Sequence, residues 1–379
     1  LADPQPERHV LSHLFNIAMM VFGGCALAWM MHKLGWAKFR DVVDNVGWSF
    51  AIILALDCAA VLFDARALHT FMRPEARMVS YWRVVAAQLS GRAVNVVTPF
   101  GALGEATKLT MLISHAPRAR VLSAIVLVNL AALYLSVTAM VIGTPLTLLL
   151  VDLPTELKIT VGVGLAVLIP LMIALGVIVQ RGALSTLTGV LRRLRLISVE
   201  RRDAWRVRLA EVDKHIAELY KYRSAGTWKG ILWVGASHLT TWCSTIFLIS
   251  AVGVWVRPTL VIGVLSVGVL IQWIASIVPL GLGLADGGNY ALYDLLGASG
   301  AHGTFVTMLN RIRSLGVALV GFIVMAIVHT LNRIGLARQR HKMHQLKEEL
   351  RAAHPELAPS ADPAVEPVPG APRETGSPP

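Results

Sequence analysis

Charge and cysteine are both scarce in this chain. Asp, Glu, Lys and Arg make up 15% of 379 residues, and there are three cysteines. So little charge leaves too little polar surface for a soluble globular protein of this size. Cys25, Cys58 and Cys243 lie far apart in apolar stretches and match no metal-ligand spacing, so they read as packing residues. No disulfide, metal or cofactor is expected. There is no HExxH and no His/Asp cluster, and of the histidines only His238 falls clearly inside an apolar stretch. A Walker A loop is missing too, since Gly226-Thr-Trp-Lys-Gly230 lacks its spacing. No nucleotide-driven mechanism is indicated. No Ser or Cys nucleophile stands beside a plausible base, although Ser90 and Thr98 keep a membrane-embedded transferase open as an alternative.

What is abundant is apolar length. The chain is 55% hydrophobic, and Val10–Met31, Trp48–Phe63, Val121–Val151, Leu157–Val179, Gly230–Trp255 and Thr304–Leu331 each approach or exceed the length of a membrane span. About 20 residues at a rise of about 1.5 Å cross a hydrocarbon core of about 30 Å. The sequence therefore reads as an all-α polytopic membrane protein. The first stretch has full span length and no clear small-residue cleavage site, so no cleavable signal peptide is expected.

The net charge of +12 is unevenly placed. Arg181 to Lys229 carries twelve Lys/Arg and the stretch after Asn332 seven more, whereas residues 152–158 hold one and residues 253–258 one. Basic loops stay in the cytoplasm, so this asymmetry orients the chain with both termini cytoplasmic. Juxtamembrane basic segments meet anionic lipid, and nucleic acid is not expected as a partner. With Arg73, Arg77 and Arg83 before it and Arg118 and Arg120 after it, segment 84–116 enters and leaves on the cytoplasmic side. By the same logic segment 259–303 enters and leaves on the outer side. The order span, span, re-entrant hairpin, span then occurs twice with inverted topology.

The expected architecture is two inverted repeats, each of three spans plus one re-entrant helical hairpin. Residues 1–151 form the first repeat with hairpin 84–116, and residues 157–331 the second with hairpin 259–303. The alternative is a longer, non-repeating bundle in which the hairpin arms are full spans, since residues 259–278 are long enough to cross. Residues 182–228 include an amphipathic stretch, with Leu184, Leu187, Leu191 and Leu194 beside Arg192, Arg193 and Arg195, that suits a helix on the cytoplasmic surface. Residues 332–379 read as a basic segment followed, from Pro355, by a Pro-rich disordered tail.

Both hairpins are interrupted apolar segments. The first reads Arg92-x-x-Asn95-x-x-x-Pro99-x-Gly101-x-x-Gly104-Glu105-x-x-Lys108; the second carries Pro279, Gly281 and Gly283 before Asp286. Proline removes a backbone donor and glycine frees the chain, so neither runs as one regular helix. Irregular backbone at membrane depth survives only where protein or a wet cavity satisfies it, and paired breaks mark transporter substrate sites. Ionisable residues at that depth cost about 2.5–3.5 kcal/mol each on insertion scales, so they need partners or a function. Arg92, Asn95, Lys108, Arg311 and Arg313 are candidates to bind an anionic head group. Glu105, Asp286 and Asp57 are candidates for charge pairing or coupling. For the bases, the competing account is structural pairing with Glu105, Asp286 or Asp294. Asp57, among small residues, reads as a buried protonated carboxyl, and Arg313 as able to snorkel to the interface.

The first motif, with Pro279-x-Gly281-x-Gly283 and the late Arg311, resembles the lysylphosphatidylglycerol synthase transmembrane, or flippase-like, family over roughly residues 10–331. Members of that family commonly have a glutamate after the glycines, where this chain has Ala285-Asp286. The resemblance implies a bacterial inner-membrane protein that moves an anionic or modified lipid between leaflets. Its bifunctional members add a large soluble aminoacyl-transferase domain. Only about 48 residues follow Leu331, so a stand-alone transporter without synthase activity is expected. Some relatives are associated with hopanoid biosynthesis, which makes a hopanoid-type lipid an alternative cargo. Rival functions are a lipid head-group transferase and a non-catalytic scaffold of a lipid-synthesis complex. A homo-oligomer is compatible with all three.

Overall fold

In a computed structural model, residues 46–98, 102–150, 224–275 and 283–353 are described, with isolated positions between 159 and 214. Among these residues the regular structure is helical throughout. In chain order they are α1 (Trp48–Phe71), a 3₁₀ turn (Glu75–Met78), α2 (Tyr81–Val97), α3 (Ala102–Leu112), α4 (Arg118–Leu150), α5 (Ser224–Ala251), α6 (Pro258–Ala275), α7 (Leu284–Leu295) and α8 (Gly300–Ala353). The chain divides after Ala326, and the second unit, from Ile327, continues α8 to Ala353, two residues short of Pro355. The expected span Val10–Met31 and the tail from Pro355 lie outside the described residues. So do most of the Leu157–Val179 span and of the surface segment 182–228.

Five of these helices are long and apolar enough to cross a membrane: Trp48–Phe71, Arg118–Leu150, Ala225–Ala251, Pro258–Ala275 and Gly300–Leu331. Two element boundaries differ from the sequence expectation in ways that matter. α1 runs eight residues beyond Phe63, to Phe71, which brings Asp64 into the helix. α6 is itself of crossing length, so the second hairpin's first arm reaches about 27 Å. The second arms are short. α3 has 11 residues and α7 has 12, lengths of about 16–18 Å that cannot traverse a bilayer core.

Apolar packing assembles the helices in three clusters. The largest joins α1, α2, α3, α4 and α5 through Leu68, Phe71, Val84, Leu112, Val121 and Val234. A second joins α1, α5, α6, α7 and α8 around Ile53, Ile249, Leu260, Tyr293 and Leu309. The third sets Ala93, Val94 and Val97 of α2 against Leu315, Ala318 and Phe322 of α8. α1 and α5 pair antiparallel along most of their length. Phe71 covers Gly230, Phe63 stacks on Trp233 with ring centroids 5.7 Å apart, and Ser244 donates to Asp57.

Lipid tails are as apolar as the side chains, so close backbone approach rather than hydrophobic exclusion holds such helices together. Two contacts of this kind are reciprocal. α4 meets α6 where Gly143 faces Ser266, with the Thr147 hydroxyl 3.4 Å from Ser266 Oγ. α8 meets α2 where Gly321 faces the Leu89 carbonyl and Ala93. α6 is thus gripped by α4, and α2 by α8.

A Cβ at Gly321 would strike the Leu89 carbonyl and come 2.7 Å from the Ala93 Cβ, and backbone cannot yield there. Gly321→Val should therefore destabilise the protein by about 1–3 kcal/mol. Gly235, with nothing within 4 Å of such a Cβ, should tolerate alanine and gain up to about 1 kcal/mol of helix propensity. Thermal unfolding of the detergent-purified protein separates the two. Equal melting of the variants would mean that α2 and α8 do not meet at this crossing.

Candidate functional site

The first hairpin holds its charges against the opposite arm. Asn95 of α2 accepts the Gly104 amide through Oδ1 at 2.8 Å, and its Nδ2 lies 3.5 Å from Oε1 of Glu105. The same Oε1 accepts Lys108 Nζ at 2.8 Å, an i,i+3 pair on α3. Room for this comes from two glycines. The stem of Lys108 lies over Gly91, and Gly104 sits against Asn95 and the Gly91 carbonyl, where a side chain would collide. Gly104 therefore belongs to helix α3 and makes close packing there, rather than forming the break. Lys108 is 5% exposed, and Glu105 Oε2 is buried with no hydrogen-bond partner among the described residues. Pro99, Gly101, Pro279 and Gly281 lie outside the described residues.

The second hairpin repeats the scheme with other chemistry. Gly283, at φ 81°, is the residue before α7, a left-handed conformation that glycine adopts without steric cost. Asp286 folds back to accept the Gly283 amide at 2.9 Å and takes Arg311 Nη2 from α8 at 2.6 Å. The carboxylate thus caps α7 and binds a guanidinium from the last span. Asn289, one turn on, donates to Thr307 Oγ1 at 2.8 Å, tying α7 to α8 a second time.

Two further pairs converge on α1. Arg92 of α2 donates through Nη2 to Asp64, and Arg313 of α8 lies 3.0 Å from Asp57 through Nε. Ser244 of α5 completes the second group, donating to Asp57 at 3.0 Å and accepting Arg313 Nη1 at 3.2 Å. Asp57 and Asp64 are seven residues apart, two turns on one face of α1. Asp57, a charge-pairing candidate from the sequence, has the Arg313 guanidinium as its partner and accepts the Ser244 hydroxyl. Arg313 does not snorkel outward, because its planar donors are taken by Asp57 and Ser244 inside the bundle.

Asp64 is the functional candidate that sequence reasoning missed, because the expected span ended one residue before it. Its seven-residue spacing from Asp57 is the signal that could have found it. Of the pairings considered for the bases, the structure brings together Lys108 with Glu105 and Arg311 with Asp286, and gives Arg92 to Asp64. The two hydroxyls named for the transferase alternative are placed as follows. Thr98 donates to the Val94 carbonyl at 2.8 Å, and Ser90 is fully buried without a base beside it. No group of three or more His, Cys, Asp and Glu capable of holding a metal occurs among the described residues.

The family model described as the lysylphosphatidylglycerol synthase TM region matches residues 16–321, which span the whole constellation. The chain belongs to that family. No curated protein and no solved structure matches it. As a member of this family it is a multi-pass membrane protein, and the family links its membrane domain to lipid handling.

Removing one partner of a buried ion pair leaves a charge uncompensated, at about 3–5 kcal/mol, whereas replacing both with apolar groups is nearly neutral. Asp57→Leu should therefore lower the unfolding temperature markedly, and Asp57→Leu combined with Arg313→Met should recover most of the loss. Additive losses in this double-mutant cycle would mean that the two side chains do not pair.

Proposed function

We propose that this protein is a lipid translocase that carries an anionic or modified lipid between the leaflets of a bacterial inner membrane. The observation that carries the reading is the matched pair of carboxylate-bound cations at the two hairpins. In Lys108–Glu105 and Arg311–Asp286 the cation is buried while the carboxylate is 28–29% exposed. A cation at this depth needs an anion beside it, but the anion can be exchanged. A lipid phosphate entering beside the carboxylate takes over Lys108 or Arg311 without leaving either base bare. The freed Glu105 or Asp286 then takes a proton or binds a cationic part of the head group. The unpartnered Oε2 of Glu105 suits such a donor.

Arg92, with 34% of its side chain exposed, is the base best placed to meet the head group first. Asn95 holds the first hairpin shut around the site through Gly104 and Glu105. Arg313, enclosed by Asp57 and Ser244, takes a supporting role.

The architecture we propose is two inverted halves. In support, the order long helix, hairpin, long helix recurs as α1, α2–α3, α4 and as α5, α6–α7, α8. The corresponding helices α1 and α5 pair antiparallel, as inversion requires. The α4–α6 and α8–α2 contacts are exchanged between the halves in the same sense. Acyl chains would stay in the bilayer while the head group moves between the hairpin tips, and rocking of the halves would open the site to alternate sides. With the basic ends in the cytoplasm, the first hairpin faces in and the second out. An anionic phospholipid and a hopanoid-type lipid both fit this account.

Leaflet exchange of labelled lipids in proteoliposomes tests it. Glu105→Gln and Arg311→Ala should each slow exchange of an anionic lipid about tenfold or more, since a hydrogen bond to a charged group is worth about 1.5–3 kcal/mol. A proton gradient should change the wild-type rate if Glu105 or Asp286 carries a proton. Unchanged exchange in both variants would remove the hairpins from the mechanism. No exchange by wild type in native lipids would favour the transferase or scaffold readings.

A further inference from the structure

A second basic feature lies away from the hairpins, between the C-terminal end of α1 and the N-terminal end of α5. Arg66, Thr70, Arg73, Lys229, Leu232, Trp233 and Ala236 line a cavity of about 500 Å³, within the range of about 300–1,000 Å³ typical of ligand pockets. The lining comes from two places. Arg66 and Thr70 stand one turn apart near the end of α1 with Arg73 in the turn that follows it, and Lys229, Leu232, Trp233 and Ala236 follow i, i+3, i+4, i+7 on α5. Because the helices are antiparallel, Lys229 meets Arg66 and Arg73 at the end of the bundle. Leu232, Trp233 and Ala236 lead from there along the membrane-spanning part of α5.

None of the three cations is in an ion pair among the described residues, and the two nearest carboxylates in sequence are engaged elsewhere, Asp64 by Arg92 and Glu75 by Arg120. Arg66 is nonetheless held in position. Its guanidinium lies 5.7 Å from the centroid of the Tyr81 ring, and the Tyr81 hydroxyl donates to the Leu62 carbonyl at 2.9 Å. Thr70 donates its proton to the Arg66 carbonyl at 2.7 Å and so keeps lone pairs but no free donor, leaving anion binding to the three bases. Leu232 is 69% exposed, an open apolar flank beside a charged head.

We infer that this groove binds an anionic phospholipid of the surrounding leaflet, its phosphate between Arg66, Arg73 and Lys229 and one acyl chain along Leu232, Trp233 and Ala236. Charge complementarity selects the occupant: three cations at one end, none in an ion pair among the described residues, call for an anion, and an apolar flank continuing into the bilayer calls for a chain attached to it. A protein segment would have to bring both a carboxylate cluster and lipid-facing apolar residues to the interface. The site is separate from the hairpins and does not depend on translocation.

Phosphatidylglycerol carrying a diazirine on one acyl chain provides the probe, with the full chain reconstituted in phosphatidylcholine nanodiscs. Photolysis followed by peptide mass spectrometry should place label on residues 232–236, and unlabelled phosphatidylglycerol should displace it. Arg66→Gln/Arg73→Gln/Lys229→Gln should reduce that label about tenfold, as expected for losing charge-assisted bonds. Ala236→Trp, which fills the apolar end and leaves every charge in place, should do the same. Unchanged size-exclusion elution and unfolding temperature should show that both variants are folded, and this readout does not require lipid at the hairpins, so the result stays distinct from failure of the translocase reading. Displacement by phosphatidylcholine as efficient as by phosphatidylglycerol, or unchanged label in the triple variant, would overturn the proposal. Equal displacement by inorganic phosphate would overturn the lipid as occupant.

Discussion

Two carboxylates on one face of α1 hold this fold together. Asp57 and Asp64 stand two turns apart and take arginines from different places in the chain, Arg313 from α8 and Arg92 from α2. In a bilayer neither arginine could be left alone, because an unpaired charge at that depth is costly and no water is at hand to solvate it. The pairs therefore fix both the rotation of α1 and the positions of α2 and α8 around it. Ser244 adds α5 to the same junction by bridging Asp57 and Arg313.

Around that junction the packing obeys the rule for helices in lipid, with small residues wherever backbones cross. Gly91 and Gly104 let α3 lie against α2, Gly143 admits Ser266, and Gly303 sits on the Asn289 carbonyl where α7 meets α8. Such contacts are dense but short-ranged, and they leave the carboxylates at the start of the short arms α3 and α7 partly exposed. The charges at the start of those arms, Glu105 and Asp286, are consequently both fixed by hydrogen bonds and partly open. This combination separates them from the enclosed Asp57. It is the reason that exchange of partners is proposed at the hairpins and a permanent anchor at α1.

Much of this was legible in the residues themselves. The class, the apolar spans, the two interrupted segments and the identity of the costly charges all follow from composition along the chain, because the penalty for burying a charge belongs to the residue that carries it. Local pairs were legible too. Glu105 and Lys108 are three apart on a helix, and their meeting needs no tertiary information. The role of Asp64 was not, since the apolar stretch fades after Phe63 although the helix continues to Phe71. Helix ends follow hydrogen bonding and packing, and hydropathy marks them only loosely.

By itself the sequence determined that this chain is helical, lives in a membrane and carries a set of ionisable residues that must find partners. The tertiary structure decided which partners they found. Arg311 has Asp286 and Arg313 has Asp57, although the two arginines are two residues apart on one helix. Successive side chains on a helix point about 100° apart, so residues separated by two face in widely different directions. Which carboxylate lies in each direction depends on how the helices are rotated and shifted against one another, a register that the small-residue crossings and the ion pairs share.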